Sequence, residues 1–198
     1  MKRVLQALVI ALIAALALPT AAHADGVVPV GSSPVLIGFG HMCANFGADP
    51  ESCLNPHNGV FSNGQSIDVS AENDNIAEFR VGFVRRSDPC EPFTCGSGCN
   101  TRYDGKPVVV LEWNASPAFG VRDYTASNDQ LKISSTADDN NLWVQSGFWF
   151  INVGATNHAG VDCGTGDPMI LTNRPNTGTV WSRCGGCWDA AKQNWKLV

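Results

Sequence analysis

The chain has 198 residues, of which 13 are Lys or Arg and 18 are Asp or Glu, giving a net charge of −5. This length suits one domain of ordinary size. Its one basic cluster is Arg80, Arg85 and Arg86, which makes nucleic acid a poor match as a partner, since phosphate binding needs many clustered cations.

The first 24 residues have the pattern of a secretory signal peptide. Lys2 and Arg3 precede an apolar run over residues 4–18, and a small-x-small cleavage pattern ends at Ala24. The run is shorter than the ~20 residues that a membrane-spanning helix needs. We therefore predict a signal peptide at 1–24 and one mature domain at 25–198, secreted to an extracellular or periplasmic space and not membrane-spanning. Without Lys2 and Arg3 the domain holds 11 basic and 18 acidic residues, a net charge of −7.

After residue 24 the sequence is typical of strands and turns. Phe79, Val81 and Phe83 alternate with polar or small residues, which places them on one face of a strand. Similar short runs of β-branched and aromatic residues are bounded by turn residues along the whole domain, and this predicts an all-β fold. The predicted strands are 35–39, 66–70, 77–85, 107–113, 130–134, 142–144, 148–153, 169–172, 179–182 and 194–198.

A cysteine-rich insertion at 88–106 separates two of these strands. Residues 88–102 contain Cys90, Cys95 and Cys99 together with two prolines and two glycines, and they show no apolar period. We predict a loop that is held by disulfides. Because cross-links lower the entropic cost of ordering a loop, this loop is a candidate contact surface for a protein partner.

All eight cysteines follow the signal segment, which favours disulfides because an exported chain folds in an oxidising compartment. The sequence alone does not fix their connectivity. Proximity favours Cys43–Cys53, a bridge within 90–99, and a bridge from Cys163 to Cys184 or Cys187. The spacing Cys184-x-x-Cys187 also fits a structural zinc site, but the compartment favours disulfides. We therefore predict no metal and no cofactor.

The last 48 residues carry short motifs in a fixed order, namely Ile151-Asn152, Gly160-Val161-Asp162-Cys163, Gly178-Thr179-Val180-Trp181, Cys187 and Gln193-Asn194-Trp195. This order resembles a repeat of the ricin-type β-trefoil lectins, which have an Ile-x-Asn strand, an aspartate beside a cysteine, an apolar strand, a second cysteine and Gln-x-Trp. Here Asp162 precedes Cys163, whereas the family's sugar-binding aspartate usually follows the cysteine. The resemblance implies a β-trefoil, and a disulfide-rich β-sandwich is the alternative fold.

The same resemblance implies a carbohydrate site. Asp162 and Asn173 would bind sugar hydroxyls, Trp181 would stack on a sugar ring, and Gln193 would support the site. We expect Trp195 in the core. The prediction is a secreted, lectin-like binding module whose partner is a carbohydrate or a cell-surface glycan.

Other chemistry is less clearly marked in the sequence. The spacing of His41, His57 and His158 fits neither a catalytic triad nor a zinc helix, so a non-catalytic role is favoured. The stretches 72–75 and 138–141 offer oxygen atoms of the kind that calcium prefers, although solvated turns are the simpler interpretation. The alternative function is a secreted enzyme, a toxin component or a protease inhibitor that presents the loop 88–102.

Overall fold

The computed structural model describes residues 35–44, 52–70, 77–88, 103–123, 130–156, 168–173, 180–184 and 193–198. Within these ranges the protein is all-β, as predicted. The strands are β1 Val35–Gly40, β2 Met42–Ala44, β3 Cys53–Pro56, β4 Ile67–Ser70, β5 Phe79–Arg86, β6 Pro107–Trp113, β7 Ser116–Asp123, β8 Leu131–Ser134, β9 Leu142–Ser146, β10 Trp149–Thr156, β11 Pro168–Asn173, β12 Val180–Cys184 and β13 Trp195–Leu197.

The described strands form two antiparallel sheets. Sheet A has the order β1-β5-β6-β9-β10-β11-β12, with β7 attached to β6 and β8 attached to β7. Sheet B has the order β13-β2-β3-β4. Neither sheet closes into a barrel among the described strands, so the all-β class is established while the threefold closure of a β-trefoil is not.

The main hydrophobic core lies where sheet B packs against one face of sheet A. Sheet A contributes Phe79, Leu111 and Trp143, and sheet B contributes Leu54 and Trp195. Each of these side chains is at most 1% exposed. Two sheets that bury their facing side chains in this way form a layered core, which is the packing that a β-sandwich requires.

Strand β6 is buried on both faces of sheet A. Val109 and Leu111 point into the main core, while Val108 and Val110 belong to a second cluster on the opposite face. Tyr103 and Ile151 are further members of that second cluster. The alternation follows from the two-residue period of a strand, and burial of both faces explains why residues 107–111 of β6 are all apolar.

The chain passes from sheet A to sheet B at Gly40. Its φ is 154°, and a Cβ atom there would lie 2.5 Å from the backbone oxygen of Val198. His41 and Val198 then exchange two backbone hydrogen bonds of 2.9 and 3.0 Å. A glycine is therefore required for the end of β13 to approach this close to the crossing point.

The predicted Cys43–Cys53 disulfide is present in the structure. Its cysteines are paired neighbours on β2 and β3, and both are fully buried. Cys184 ends β12, but its side chain lies outside the described part of the structure, as do Cys90, Cys95, Cys99, Cys163 and Cys187.

Most predicted strands are found with bounds shifted by one to three residues, and three further strands were not predicted. These are β2, β3 and β7. Strand β2 has three residues without alternation, β3 ends on Pro56, and β7 contains Pro117 and Gly120. Each of these features weakens a strand pattern in the sequence, and the pairing partners supply what the local pattern lacks.

Candidate functional site

The Gln-x-Trp segment near the C-terminus is hydrogen-bonded to β11 through the side chains of both Gln193 and Trp195. Gln193 Nε2 donates to Thr172 Oγ1 at 3.2 Å, and Trp195 Nε1 donates to the backbone oxygen of Leu171 at 2.9 Å. Gln193 and Trp195 are 0% and 1% exposed. Both side chains therefore act inside the protein, where they position β13 against sheet A.

The same segment is also bound to the hairpin formed by β9 and β10. The backbone nitrogen of Trp195 donates to the backbone oxygen of Phe148 at 2.8 Å. Asn194 Oδ1 accepts a hydrogen bond of 3.0 Å from Trp149 Nε1. These contacts fix the distance between β13 and the hairpin tip, and so they set the width of the space beside them.

That space is a groove between β1, the β9–β10 hairpin and β13, with a volume of about 160 Å³. The buried side chains of Val81, Phe150 and Trp195 line it, so it is largely apolar. The remaining lining residues are Ile37, Gln145, Gly147, Phe148, Lys196 and Leu197. We call this space the β13 groove.

The tip of the β9–β10 hairpin places an aromatic ring at the β13 groove. Ser146 pairs with Trp149, which leaves a two-residue turn of Gly147 and Phe148. Gly147 has φ 64°, and a glycine at this position suits a tight hairpin turn. Phe148 is 51% exposed, and Ile37 on β1 is similarly exposed. The groove thus combines an exposed aromatic and an exposed aliphatic residue.

Gln145 contributes a partly exposed amide to the β13 groove, and this amide can donate and accept hydrogen bonds. Lys196 pairs with Cys43, whereas Trp195 and Leu197 pack in the main core, so the side chain of Lys196 lies on the opposite face of β13. Among the described residues Lys196 forms no ion pair. A largely apolar concavity with a few polar groups is the usual form of a small-molecule site.

The structure brings together part of the site that the sequence predicted. Asn173 ends β11 and is 8% exposed, and Trp181 on β12 is paired with Thr172, which also binds Gln193. These three residues therefore meet at one end of the β11–β12 ladder. Gln193 is fully buried there. Asp162 and the side chain of Trp181 lie outside the described part of the structure.

An imidazole and a carboxylate that the sequence did not link meet on sheet B. His57 Nδ1 lies 2.7 Å from Asp68 Oδ2, and their side chains are 48% and 30% exposed. The two residues come together because Pro56 pairs with Ile67 and Asn55 with Asp68. A carboxylate on Nδ1 orients an imidazole as a general base needs. The register of β3 on β4, which sequence spacing does not reveal, creates this pair.

The first carboxylate of the acidic turn 138–141, that of Asp138, has a structural role. Asp138 Oδ1 accepts from the backbone nitrogen of Asn140 at 3.0 Å and caps the 3₁₀ turn Asp139–Asn141. The same carboxylate binds both Nε and Nη2 of Arg122. A guanidinium in direct contact occupies the oxygens that a calcium ion would need. The other acidic stretch, 72–75, lies outside the described ranges.

Both ends of the cysteine-rich insertion are anchored, although residues 89–102 lie outside the described structure. Ser87 and Lys106 are joined by a backbone hydrogen bond of 2.8 Å, and Gly105 donates to the backbone oxygen of Ser87 at 3.1 Å. Ser87 Oγ also donates to the backbone oxygen of Tyr103. The insertion thus departs from and returns to neighbouring ends of β5 and β6, which are paired strands.

Comparison with known proteins assigns no family. No protein-family model matches the chain, and no curated protein matches its sequence. Within the ranges that the structure describes, no three His, Cys, Asp or Glu side chains are grouped to hold a metal ion. Nor does any described helix have the length and apolarity needed to cross a bilayer.

Proposed function

We propose that this protein is a secreted, non-catalytic binding module that recognises carbohydrate through the β13 groove. The observation that carries the proposal is the half-exposed ring of Phe148 beside the amide of Gln145, at a groove walled by Trp195. Sugar rings have apolar C–H faces that pack on aromatic rings, while their hydroxyls take hydrogen bonds from amides. The groove offers both kinds of contact, with Gln145 on β9 and Phe148 in the turn that follows it.

The buried Gln-x-Trp segment also supports the proposal. Gln193 and Trp195 bind β11, while Trp195 also lines the groove. A site whose supporting residues are locked by packing and hydrogen bonds keeps its geometry between the free and bound states. We assign Gln193 a positioning role.

We keep the end of the β11–β12 ladder as a second contact surface. Asn173 and Trp181 lie there on adjacent strands, and Asp162 is proposed as their partner. Trp181→Ala tests this second surface.

A glycan-binding measurement with two phenylalanine variants tests the function. The secreted protein is applied to a broad polysaccharide and glycan panel, and affinities for the strongest ligands are measured by calorimetry. Phe148→Ala is expected to weaken binding about tenfold, since a tenfold change corresponds to about 1.4 kcal/mol and an aromatic contact is worth about that much.

Phe39→Ala is the matched control. Phe39 is 65% exposed on β1 but does not line the groove, so its removal is expected to leave affinity unchanged. Equal losses in both variants, or no binding by the wild-type protein across the panel, would contradict the proposal.

The His57–Asp68 pair favours one alternative, a secreted enzyme. Hydrolase assays on the wild-type protein and on His57→Gln distinguish the two functions. Turnover that is lost in His57→Gln would replace the binding proposal with a catalytic one. Cytotoxicity and protease-inhibition assays on the same material cover the toxin and inhibitor alternatives for the loop 88–102.

The proposed function does not depend on the β-trefoil that the ricin-type resemblance implies. What supports that architecture is the contact of Gln193 and Trp195 with β11, the arrangement expected of a Gln-x-Trp repeat end. An experimental structure with three related strand units would establish it. N-terminal sequencing of the exported protein would test cleavage after Ala24.

A further inference from the structure

We propose that the Asn58–Gly59 pair is a modification site, where the asparagine converts spontaneously to aspartate or isoaspartate, and that the fold protects the neighbouring Asn63–Gly64 pair. These are the only two Asn-Gly pairs in the sequence, and both lie in the connection between β3 and β4. The inference is independent of the proposed carbohydrate site.

Deamidation at an Asn-Gly pair consumes only water. The backbone nitrogen of the glycine attacks Cγ of the asparagine side chain, so a new C–N bond forms and the bond from Cγ to Nδ2 breaks. Ammonia leaves with the proton of the attacking nitrogen, and a cyclic succinimide remains. Water then opens the ring at either carbonyl and gives aspartate or isoaspartate. Glycine at the second position favours the attack, because it has no Cβ and its backbone rotates easily.

The turn at Asn58 leaves the side chain of this residue available for the reaction. Asn58 and Gly59 have φ values of 55° and 69°, and both residues are exposed. No hydrogen bond joins the side chain of Asn58 to another described residue. A backbone hydrogen bond from Val60 to His57 closes the turn at 3.2 Å, at the long end of the usual range. Breaking this bond lets ψ of Asn58 rotate from 21° towards the value that ring closure needs.

The side chain of Asn63 is also exposed, but it is bound to Ser135. Asn63 Oδ1 accepts from the backbone nitrogen of Ser135 at 2.7 Å, and Asn63 Nδ2 donates to Ser135 Oγ at 3.0 Å. The backbone nitrogen of Gly64, which would be the attacking atom, donates to the backbone oxygen of Ile133 at 2.9 Å. Deamidation here has to break bonds at both reacting groups, so the end of β8 protects this pair.

The modification changes the surface that carries the His57–Asp68 pair. Each conversion replaces a neutral amide by a carboxylate and so makes the chain more acidic. The new carboxylate belongs to the residue after His57, whose Nδ1 lies 2.7 Å from Asp68 Oδ2. The isoaspartyl product also lengthens the backbone of the turn by a methylene group, which alters the connection between β3 and β4.

Peptide mass spectrometry of the folded, full-length protein tests the inference. The protein is held in warm neutral buffer for several weeks, and fragmentation of the digested samples assigns the amide, aspartyl and isoaspartyl forms to position 58 or 63. Asn58 is expected to convert about tenfold faster than Asn63. A tenfold ratio of rates corresponds to about 1.4 kcal/mol of activation free energy, which is of the order that a net hydrogen bond contributes.

Two comparisons show whether the fold sets this difference. In urea-unfolded protein the bonds to Ser135 and Ile133 are broken, so the two pairs are expected to convert at similar rates. Ser135→Ala removes the hydroxyl that binds Asn63 and makes no contact with Asn58. Because Ser135 is exposed, the variant is expected to fold and to convert faster at Asn63 alone.

Equal rates at the two positions of the folded protein, or a faster reaction at Asn63, would overturn the proposal. The same ratio before and after unfolding would assign the difference to the flanking residues rather than to the fold, and would overturn it as well. An unchanged rate at Asn63 in Ser135→Ala would contradict the protective role of Ser135. If that variant does not fold, the folded and unfolded wild-type protein still decide between the outcomes.

Discussion

Strands β1 and β6 have similar sequences and opposite surroundings. In each, a proline precedes an apolar run: Pro34 stands before Val-Leu-Ile of β1, and Pro107, the first residue of β6, stands before Val-Val-Val-Leu. In β6 the side chains from Val108 to Trp113 are buried, whereas in β1 Val35, Leu36, Ile37 and Phe39 are 48–71% exposed. The difference shows that local sequence determines the strand, while the number of strand neighbours determines its burial.

The neighbours of the two strands explain this difference. Strand β6 pairs with β5 along one edge and with β9 and β7 along the other. Among the described strands β1 pairs with β5 alone. An apolar edge strand without charged residues is unusual, because natural proteins protect such edges against pairing with other chains. Its exposed Ile37 lines the β13 groove, so the proposed ligand binding would account for this exposure.

The largest effect is expected in the buried strand. Leu111→Ala removes a side chain that is 1% exposed in the main core, and it should lower the free energy of unfolding by about 3 kcal/mol through lost burial and the cavity left behind. Urea denaturation followed by tryptophan fluorescence measures it. A loss below about 1 kcal/mol would mean that the two-sheet core is packed differently.

A strand could be predicted from the sequence when its own residues carry the full pattern, and not when distant strands order it. Strand β6 was predicted with the bounds that the structure shows, because its pattern is complete in seven consecutive residues. Strand β2 was not, since its three residues are ordered by Trp195 and Leu197 of β13 and by the bridge from Cys43 to Cys53. Information that lies more than 150 positions away cannot appear in a local pattern.

The candidate site likewise has one part that the sequence could predict and one part that it could not. The Gln-x-Trp motif directed attention to Gln193 and Trp195, and the structure gives both residues specific hydrogen bonds. The β13 groove gave no signal, because Ile37, Phe148 and Lys196 belong to three distant segments. Only the pairing of β1 with β5 and of β13 with β2, together with the backbone bond from Trp195 to Phe148, brings them together.

An intermediate loss in the free energy of unfolding is expected at Gly40, where β1 ends beside Val198. Gly40→Ala would place a Cβ atom 2.5 Å from the backbone oxygen of Val198, at a φ that residues other than glycine rarely adopt. The cost should be about 2 kcal/mol, because strain at such positions is typically 1–3 kcal/mol.

Gly38→Ala is the matched control on the same strand. Its Cβ would lie 3.3 Å from Cδ1 of Leu197, which is the flexible end of a side chain and can move away. A smaller loss, about 0.5 kcal/mol, is expected. Equal losses in the two variants, measured by urea denaturation, would argue against a close approach of β13 to Gly40.

The smallest effect is expected at the exposed edge. Leu36→Ala makes the same chemical change as Leu111→Ala, but Leu36 is 54% exposed, so the free energy of unfolding should change by less than about 0.5 kcal/mol. The paired measurement isolates burial, since the residue type and substitution are identical. A loss above about 1.5 kcal/mol would instead show that Leu36 is covered in the folded protein. It would remove the contrast between the two strands, and with it the argument that β1 is free to contribute Ile37 to a ligand site.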